Sequence, residues 1–306
     1  MANPHVVVVG SSNTDMIIKM ERIPRPGETI LGGEFMTAGG GKGANQAVAA
    51  ARAGGRVTFI ARVGNDMFGG QAIAGFTGEG INVDHVIRDP ASPTGVALIF
   101  VGSDGENSIA VASGANGNLS SGDVLNARAV FDGASVLIMQ LETPLETIQT
   151  AAEAAAQARV RVILNPAPAR PLPDSLLRHI SILTPNETEA ELLTGIKVDS
   201  TAAAGEAAAK LMARGVQTVV VTLGARGAFV ADGATRELVP GFKVDAVDTT
   251  AAGDTFNGAL AVALAEGQPL VEAVRFANAA GAISVTRIGA QPSVPRREEI
   301  EQLLAK

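Results

Sequence analysis

The chain has 306 residues, a formal net charge of −7, 35 glycines, three histidines and no Cys, Trp or Tyr. Without cysteine it cannot form disulfides, thiolate nucleophiles, iron–sulfur clusters or Cys-ligated zinc sites. An acidic balance, with no basic run and no Trp or Tyr for base stacking, argues against a nucleic-acid partner. Because histidine is scarce, we expect any proton transfer to use a carboxylate.

The sequence predicts a cytoplasmic protein with no membrane partner. No stretch approaches the ~18 uninterrupted apolar residues of a membrane span. Residues 1–5 lead directly into the apolar run 6–9, without the basic segment and the longer apolar stretch of a signal peptide.

Short β-branched runs alternate with Ala-rich helical stretches along most of the chain. Strands are predicted at 6–9, 57–63, 136–139, 160–164, 180–183 and 219–222. Helices are predicted at 45–53, 70–80, 145–158, 187–193, 202–214, 253–266, 270–284 and 296–304. This alternation predicts an α/β fold, with a central, mostly parallel sheet and helices on both faces.

Two regions interrupt the alternation. Residues 16–35 set isoleucines among Pro and Gly, and residues 94–112 contain two apolar runs around the turn 103–106. Both patterns are typical of short antiparallel strands, and the second of a hairpin. We therefore predict one α/β domain over 1–306, in which the segments 12–37 and 94–112 form a small separate β-sheet.

Glycine is concentrated at 39–43, ahead of a predicted helix, and this stretch contains Lys42. Consecutive glycines let backbone N–H groups approach a ligand closely, and Lys42 supplies a point charge. The pattern fits a purely structural turn equally well. It is not a Walker A loop, because Gly43 follows Lys42. A dinucleotide fingerprint requires a buried strand before it, and 34–38 is not a good one.

Asn13 and Asp15 follow the first predicted strand. Ligands of open α/β sheets bind at the carboxyl ends of strands, where these side chains could hold hydroxyl groups. Taken alone, the pair is better explained as a turn stabilised by Asx hydrogen bonds.

The segment 247–258 is the most informative. Small residues open a helix there, so several N–H groups are expected to point from its N-terminus at one place, which would suit a phosphoryl group in transfer. Asp254 alone would be explained as a helix-capping acid. Two acids, Asp248 and Asp254, flank these small residues, which is more than one helix cap requires. The segment is therefore better explained by a functional role than by helix capping alone.

Other strand ends carry weaker signals. Asn186 and Glu189 have the spacing of a capping box. From the local pattern alone, capping explains them better than a role in holding Mg²⁺ through waters. Residues 222–227 fit either a nucleotide site or an ordinary connection, Glu142 fits a loop acid, and 287–293 fits a loop between helices.

In this order, the motifs resemble those of the ribokinase family of ATP-dependent carbohydrate kinases, and the resemblance runs essentially end to end. The matching segments are 10–15, 26–29, 40–46, 165–169, 184–189, 222–224, 248–258 and 289–293. The segment 248–254 is specific to the wider superfamily, whereas 40–46 and 186–189 favour this family within it.

The resemblance implies a role for each matched residue. Asp254 would be the general base for the 5-hydroxyl of D-ribose, and the N–H groups of Ala251, Ala252, Gly253 and Asp254 would hold the γ-phosphate. Ribose would contact Asn13, Asp15, Gly40, Gly41, Lys42, Asn45 and Glu142. ATP would lie along Asn186, Thr222, Gly224, Gly227, Gly253 and Asn278. Mg²⁺ would be placed by Asn186 and Glu189, and K⁺ by Asp248, Thr250, Ser284, Arg287, Gly289 and Ser293.

The small sheet matches the family's lid, which implies a homodimer formed through it. The chain departs from many relatives at 251–252, where it has Ala-Ala in place of Gly-Ala, and this puts little in doubt. Alternatives stay open: the same fold acting on 2-deoxyribose, fructose, a keto-deoxy sugar acid or a nucleoside; a sugar- or nucleotide-sensing protein; and, least favoured, a dinucleotide-dependent oxidoreductase.

Overall fold

The computed structural model describes residues 4–104 and 106–306. The strands are β1 (His5–Val9), β2 (Asn13–Lys19), β3 (Glu34–Gly40), β4 (Arg56–Gly64), β5 (Asn82–Asp89), β6 (Gly95–Val101), β7 (Asn107–Ala112), β8 (Val136–Met139), β9 (Arg161–Leu164), β10 (Ile182–Leu183), β11 (Thr218–Thr222), β12 (Gly227–Ala231) and β13 (Arg236–Pro240). The helices are α1 (Lys42–Arg52), α2 (Met67–Gly78), α3 (Ser121–Asn126), α4 (Leu145–Gln157), α5 (Asp174–Leu177), α6 (Glu187–Thr194), α7 (Thr201–Met212), α8 (Ala252–Ala265), α9 (Leu270–Ser284) and α10 (Arg297–Leu304).

The predicted central sheet is confirmed. Nine strands lie in the order β13-β12-β11-β10-β9-β8-β1-β4-β5, and only β12 and β13 run antiparallel to their neighbours. In β1, Val7 and Val9 pack into one apolar cluster with α3 to α7, while Val6 and Val8 pack into another with α1, α2 and α8 to α10. Because both faces are covered, the strand is apolar at every position.

The small separate sheet is confirmed as well. It has the order β3-β2-β6-β7, with β2 antiparallel to β3 and β6 antiparallel to β7. β2 begins at Asn13, inside the predicted segment 12–37, whereas β3 ends at Gly40, three residues beyond it. Gly105, in the predicted hairpin turn, lies outside the described residues. We call this four-stranded sheet the lid sheet.

Three strands were not predicted: β5, β12 and β13. β5 is an edge strand with half-exposed residues, and β12 and β13 follow a glycine turn that fitted an ordinary connection. The predicted strand 180–183 contains only two strand residues, 182 and 183. Helix α1 begins at Lys42, three residues before the predicted start. No helix within 4–104 or 106–306 combines the length and the apolar character needed to span a membrane.

Candidate active site

A polar cavity of about 180 Å³ lies at the carboxyl ends of the central strands. Residues from distant segments meet there: Lys42 from α1, Asn186 and Glu189 from α6, Thr222 from β11, and Ala251 to Asp254 from the start of α8. Its walls also include residues to which the sequence assigned no role: Asn165, Ala167, Thr184, Thr249 and Asn257. The fold thus brings residues of four predicted motifs, at α1, α6, β11 and α8, to one place.

The glycine-rich loop brings α1 close to the end of β1. Gly41 precedes the helix with φ of 86°, in the left-handed region that favours glycine. A Cβ on Gly41 would lie 2.7 Å from the backbone N of Asn13, and one on Gly43 would lie 2.5 Å from the backbone N of Ser11. Both positions therefore need glycine so that Lys42 can enter the cavity.

Asp254 is 5% exposed and its carboxylate is held by two amide groups of α1. Asn45 Nδ2 donates to Oδ2 at 3.0 Å, and Gln46 Nε2 donates to Oδ1 at 2.9 Å. Burial raises the pKa of Asp254, while the charge of Lys42 and the two amide donors oppose that rise. A fixed carboxylate with a raised pKa is suited to accept a proton.

Lys42 supplies the positive charge of the cavity. Its pKa is raised chiefly by the charge of Asp254, against the effect of burial, with further contributions from Glu142 and Glu189. The ammonium group therefore stays charged among three carboxylates.

The start of α8 presents free N–H groups to the cavity. Ala251 precedes the helix in a left-handed conformation, with φ of 57°, and no side chain caps the helix. Ala252 N–H donates to the carbonyl of Thr249 at 3.3 Å. Within the described residues, the N–H groups of Gly253 and Asp254 have no acceptor. Such groups attract anions.

Most of the residues predicted to contact the sugar lie where the lid sheet joins the central sheet. Glu142 Oε2 accepts from Ser11 Oγ at 2.6 Å and from Lys42 N at 3.0 Å. Asn13 Oδ1 accepts from Asn116 Nδ2 at 2.7 Å. A Cβ on Gly40 would lie 2.2 Å from the carboxylate of Asp15, so Gly40 gives this carboxylate its space.

Asp15 is 8% exposed. Burial and the nearby charges of Glu142 and Asp254 raise the pKa of Asp15 to about 6. Its titration therefore falls near neutral pH.

Asn186 and Glu189 form the predicted capping box of α6. Glu189 N donates to Asn186 Oδ1 at 2.8 Å, and Asn186 N donates to Glu189 Oε2 at 2.8 Å. Both residues also line the cavity. Burial raises the pKa of Glu189, partly offset by the charge of Lys42.

Three predicted nucleotide contacts lie outside the cavity lining: Gly224, Gly227 and Asn278. Gly224 has open space around its Cα, and Gly227 begins β12 with φ of 100°. The amide of Asn278 donates to the carbonyls of Val239 and Pro240 at 3.1 and 3.2 Å. Gly224 thus lies between β11 and β12, Gly227 lies at the start of β12, and Asn278 of α9 contacts the end of β13.

Asp248 links two of the other residues predicted to hold a monovalent cation, Thr250 and Gly289. Its Oδ1 accepts from Thr250 N at 2.9 Å and its Oδ2 from Gly289 N at 2.8 Å. Ser284 and Ser293 are buried and donate to nearby carbonyls. The Arg287 side chain is itself a cation and pairs with Glu299, so only the backbone carbonyl of Arg287 could serve as a ligand.

Gln46 is the main residue of the candidate site that the sequence did not indicate. It is fully buried, accepts from Gln140 Nε2 at 2.6 Å, and donates to Asn165 Oδ1 at 3.1 Å as well as to Asp254. Its signal was its spacing: Gln46 follows Lys42 by one helical turn and so lies on the same face of α1. The predicted start of the helix at 45 concealed this.

Comparisons with known proteins agree on one family. Residues 3–297 match the model described as "pfkB family carbohydrate kinase". The chain is 48% identical over 299 residues to the ribokinase of Haemophilus influenzae, covering 98% of each protein. It is 38% identical over 301 residues to the deoxyribokinase of Salmonella typhimurium, covering 98% of each. The structure of Arabidopsis thaliana ribokinase complexed with ribose and ATP has a TM-score of 0.92, 38% identity and 100% coverage of both chains.

Proposed function

The chain belongs to the pfkB family of carbohydrate kinases, and from this premise we propose that it transfers the γ-phosphoryl group of ATP to the 5-hydroxyl of D-ribose. The products are ribose 5-phosphate and ADP. One observation carries the proposal: the buried Asp254 carboxylate lies at the N-terminus of α8, and Asn45 and Gln46 of the glycine-rich loop and helix hold it in place.

Asp254 accepts the proton of the attacking hydroxyl. Its two amide donors fix the orientation of the carboxylate, and its raised pKa makes it a stronger base than an exposed aspartate. The oxygen of the sugar then forms a bond to phosphorus, and the bond between phosphorus and the β–γ bridging oxygen breaks, leaving ADP.

The free N–H groups of Gly253 and Asp254 bind the oxygens of the phosphoryl group in transfer. They are fixed before charge develops, so little reorganisation is needed in the transition state. Lys42 adds a positive charge on the same cavity wall. Phosphoryl transfer depends mainly on such positioning and charge stabilisation, which explains why neither cysteine nor histidine is required.

The sugar hydroxyls bind to Asn13, Asp15, Glu142 and the loop 40–45. Carboxylates accept hydrogen bonds from hydroxyls, and Asn and Lys side chains donate them. The set suits a small polyhydroxyl sugar. It contains no aromatic ring, which disfavours a nucleoside.

Asn186 and Glu189 fit Mg²⁺ bound through water. One oxygen of Glu189 accepts from Asn186 N, and the other accepts no hydrogen bond from the described residues. Mg²⁺ retains much of its hydration shell, and when bound with ATP it neutralises phosphate charge. We propose that ATP follows Thr222, Gly224, Gly227 and Asn278.

The loops tied together by Asp248 fit K⁺, because they present carbonyl and hydroxyl oxygens beside the start of α8. Replacing K⁺ with a large organic cation is expected to lower activity without unfolding the protein. Activity that does not depend on the cation would contradict this site.

The lid sheet is proposed to close over the sugar and to form a homodimer. Closure excludes water and so limits ATP hydrolysis. Apolar side chains of this sheet are exposed, including Phe35 at 63% and Ile109 at 56%. Light scattering of the wild type and of Ile109→Glu tests the dimer, which the variant is expected to weaken. A monomeric wild type would contradict it.

A cytoplasmic location is proposed as well, since a chain without cysteine suits a reducing compartment and ATP is available there.

The decisive experiment for the proposed function is ADP release with Mg-ATP across a panel of ribose, 2-deoxyribose, fructose, a keto-deoxy sugar acid and a nucleoside. We expect the highest kcat/KM with ribose. The name of the Salmonella typhimurium relative suggests phosphorylation of 2-deoxyribose. A preference for that sugar would support kinase activity but contradict ribose as the substrate. No sugar-dependent ADP release would contradict a kinase and favour a sensing protein.

A further inference from the structure

A second cleft, of about 470 Å³, lies at the edge of the central sheet opposite the active site. It is lined where four neighbouring parallel strands begin: Ser135 precedes β8, Arg161 begins β9, Ser181 precedes β10 and Gln217 precedes β11. The C-terminal end of α8 closes it at Leu264. The length of the sheet therefore separates this cleft from Asp254.

The cleft is basic in an acidic protein. Arg159, Arg161, Arg178 and His179 line it, and no acidic residue does. Within the described residues, none of these three arginines forms an ion pair. A concave surface lined by charge of one sign concentrates the field and attracts ions of the opposite sign. We call this set, with Ser135 and Ser181, the basic cleft.

Arg159 occupies a position where this chain otherwise uses glycine. Helix α4 ends in a Schellman arrangement, in which Arg159 N donates to Ala156 O at 3.0 Å and Val160 N to Ala155 O at 2.9 Å. Arg159 has φ of 60°. The left-handed residues that follow α1, α2 and α8 are Gly54, Gly80 and Gly267. Such strain at a non-glycine residue is typical of functional positions.

We propose that the basic cleft binds a small molecule carrying two or more phosphate groups. The guanidinium fork of arginine matches phosphate oxygens in two-point hydrogen bonds. Three arginines and the hydroxyls of Ser135 and Ser181 provide donors for more than one phosphate. The volume lies within the range of small-molecule sites, ~300–1,000 Å³. No Phe, Tyr or Trp lines the cleft, which disfavours the stacked bases of a nucleic acid.

Histidine NMR with inorganic tripolyphosphate tests this site directly. The chain has three histidines, and only His179 lines the cleft. The active site is first filled with ADP and sugar, so that the probe can act only elsewhere. We expect the His179 ring signals to shift in a saturable manner, while those of His85, on β5, stay in place.

Arg159→Gly is the informative variant, because the change removes the guanidinium group with the rest of the side chain, and glycine accepts the left-handed backbone without strain. We expect it to fold normally and to bind tripolyphosphate ~10-fold or more weakly, as for loss of a charge-assisted contact. Arg178→Gln is expected to behave in the same way. Arg88→Gln, at an exposed arginine on the far edge of the sheet, serves as the matched control and is expected to bind as the wild type does.

Three results would overturn the proposal. These are a His179 signal that does not respond to tripolyphosphate, a response unchanged in the Arg159→Gly/Arg178→Gln double variant, and saturation by inorganic monophosphate or by a single-stranded oligonucleotide at the same concentration as tripolyphosphate. None of these results bears on the proposed kinase activity, which the ADP-release assay tests separately.

Discussion

The two edges of the central sheet differ in charge, burial and chemistry, although the same strands connect them. At the carboxyl edge, Asp254 and Asp15 are buried, Lys42 lies near Asp254, and the site is assembled from several distant segments. At the amino edge, arginines stand exposed around an open cleft. A parallel sheet thus separates two kinds of electrostatic environment by the length of its strands.

The only two non-glycine residues with positive φ among the described residues mark these two edges. Ala251 introduces α8 at the carboxyl edge, and Arg159 ends α4 at the amino edge. Left-handed backbone costs an L-residue roughly 1–2 kcal/mol. Both strained residues thus lie beside a proposed binding site.

Asp254→Asn is expected to have the largest effect. The amide keeps the shape of the side chain but cannot accept the proton, so kcat should fall by ~10²–10⁴-fold, the usual contribution of a general base. ADP release with ribose measures it, and circular dichroism checks the fold. Asp132→Asn, at an exposed position, is the matched control and should retain full activity. A variant within a few-fold of the wild type would contradict the assignment.

Gln46→Leu is expected to come next. It removes one of the two donors to Asp254, and a hydrogen bond to a charged group contributes ~1.5–3 kcal/mol. We expect kcat to fall by ~10–100-fold. The pKa of Asp254 should rise, because a group that stabilises its charged form is lost, so the acid limb of the kcat profile should move to higher pH. Gln157→Leu, on the exposed face of α4, is the control. An unmoved acid limb would leave Gln46 a purely structural residue.

Asp15 gives the next effect, on substrate binding. Because its pKa is about 6, the charged form that accepts sugar hydroxyls is lost below that pH. The KM for ribose should therefore fall as pH rises through about 6. In Asp15→Asn, KM should be ~10-fold higher or more and nearly independent of pH. Steady-state kinetics between pH 5 and 8 measure both, and a pH-dependent KM in the variant would contradict the role of Asp15.

The same raised pKa predicts a change in stability. A folded-state pKa above the usual 3.8 means that the folded protein binds this proton more tightly than the unfolded chain does. This stabilising contribution is present below about pH 4 and is lost as pH rises through about 6. Above that pH, Asp15→Asn should raise the free energy of unfolding by up to ~3 kcal/mol. Urea unfolding at two pH values measures it, and a less stable variant would contradict the raised pKa.

Ala251→Gly should have the smallest effect. Glycine accepts the left-handed backbone without strain, but it adds ~0.5–1 kcal/mol of conformational entropy cost on folding. We expect the free energy of unfolding to change by at most ~1 kcal/mol, and kcat to stay near the wild-type value. Ala251→Val is the contrasting variant, since a β-branched residue is strained there. If both variants behave alike, the left-handed conformation does not matter for the site.

The sequence predicted most of the central sheet, because a strand covered on both faces is apolar at every position, as Val6–Val9 shows. It missed β5, which lies at an edge and carries exposed polar residues such as Asn82 and Arg88. It also missed β12, which is buried at every position, because the preceding glycine turn fitted an ordinary connection. Apolar runs therefore located most of the buried strands, and they cannot show which polar segment will pair at an edge.

The helix N-terminus in the candidate site was also predictable, because it is a local feature and 248–254 lies within one segment. Contacts between distant segments were not. Asn116 binds Ser12 and Asn13, more than 100 residues earlier in the chain, and Gln46 binds Asp254 across 208 residues. The basic cleft was missed for the same reason, since its arginines form no run in the sequence.

The product of the reaction with ribose and Mg-ATP tests the central claim most directly. Proton-coupled ³¹P NMR shows which carbon carries the new phosphate. With the wild-type protein we expect a phosphate coupled to the two C5 protons of ribose, and with Asp254→Asn no detectable product in the same time. A phosphate on another carbon, inorganic phosphate alone, or equal product from the variant would contradict a kinase that uses Asp254 to direct the 5-hydroxyl of ribose.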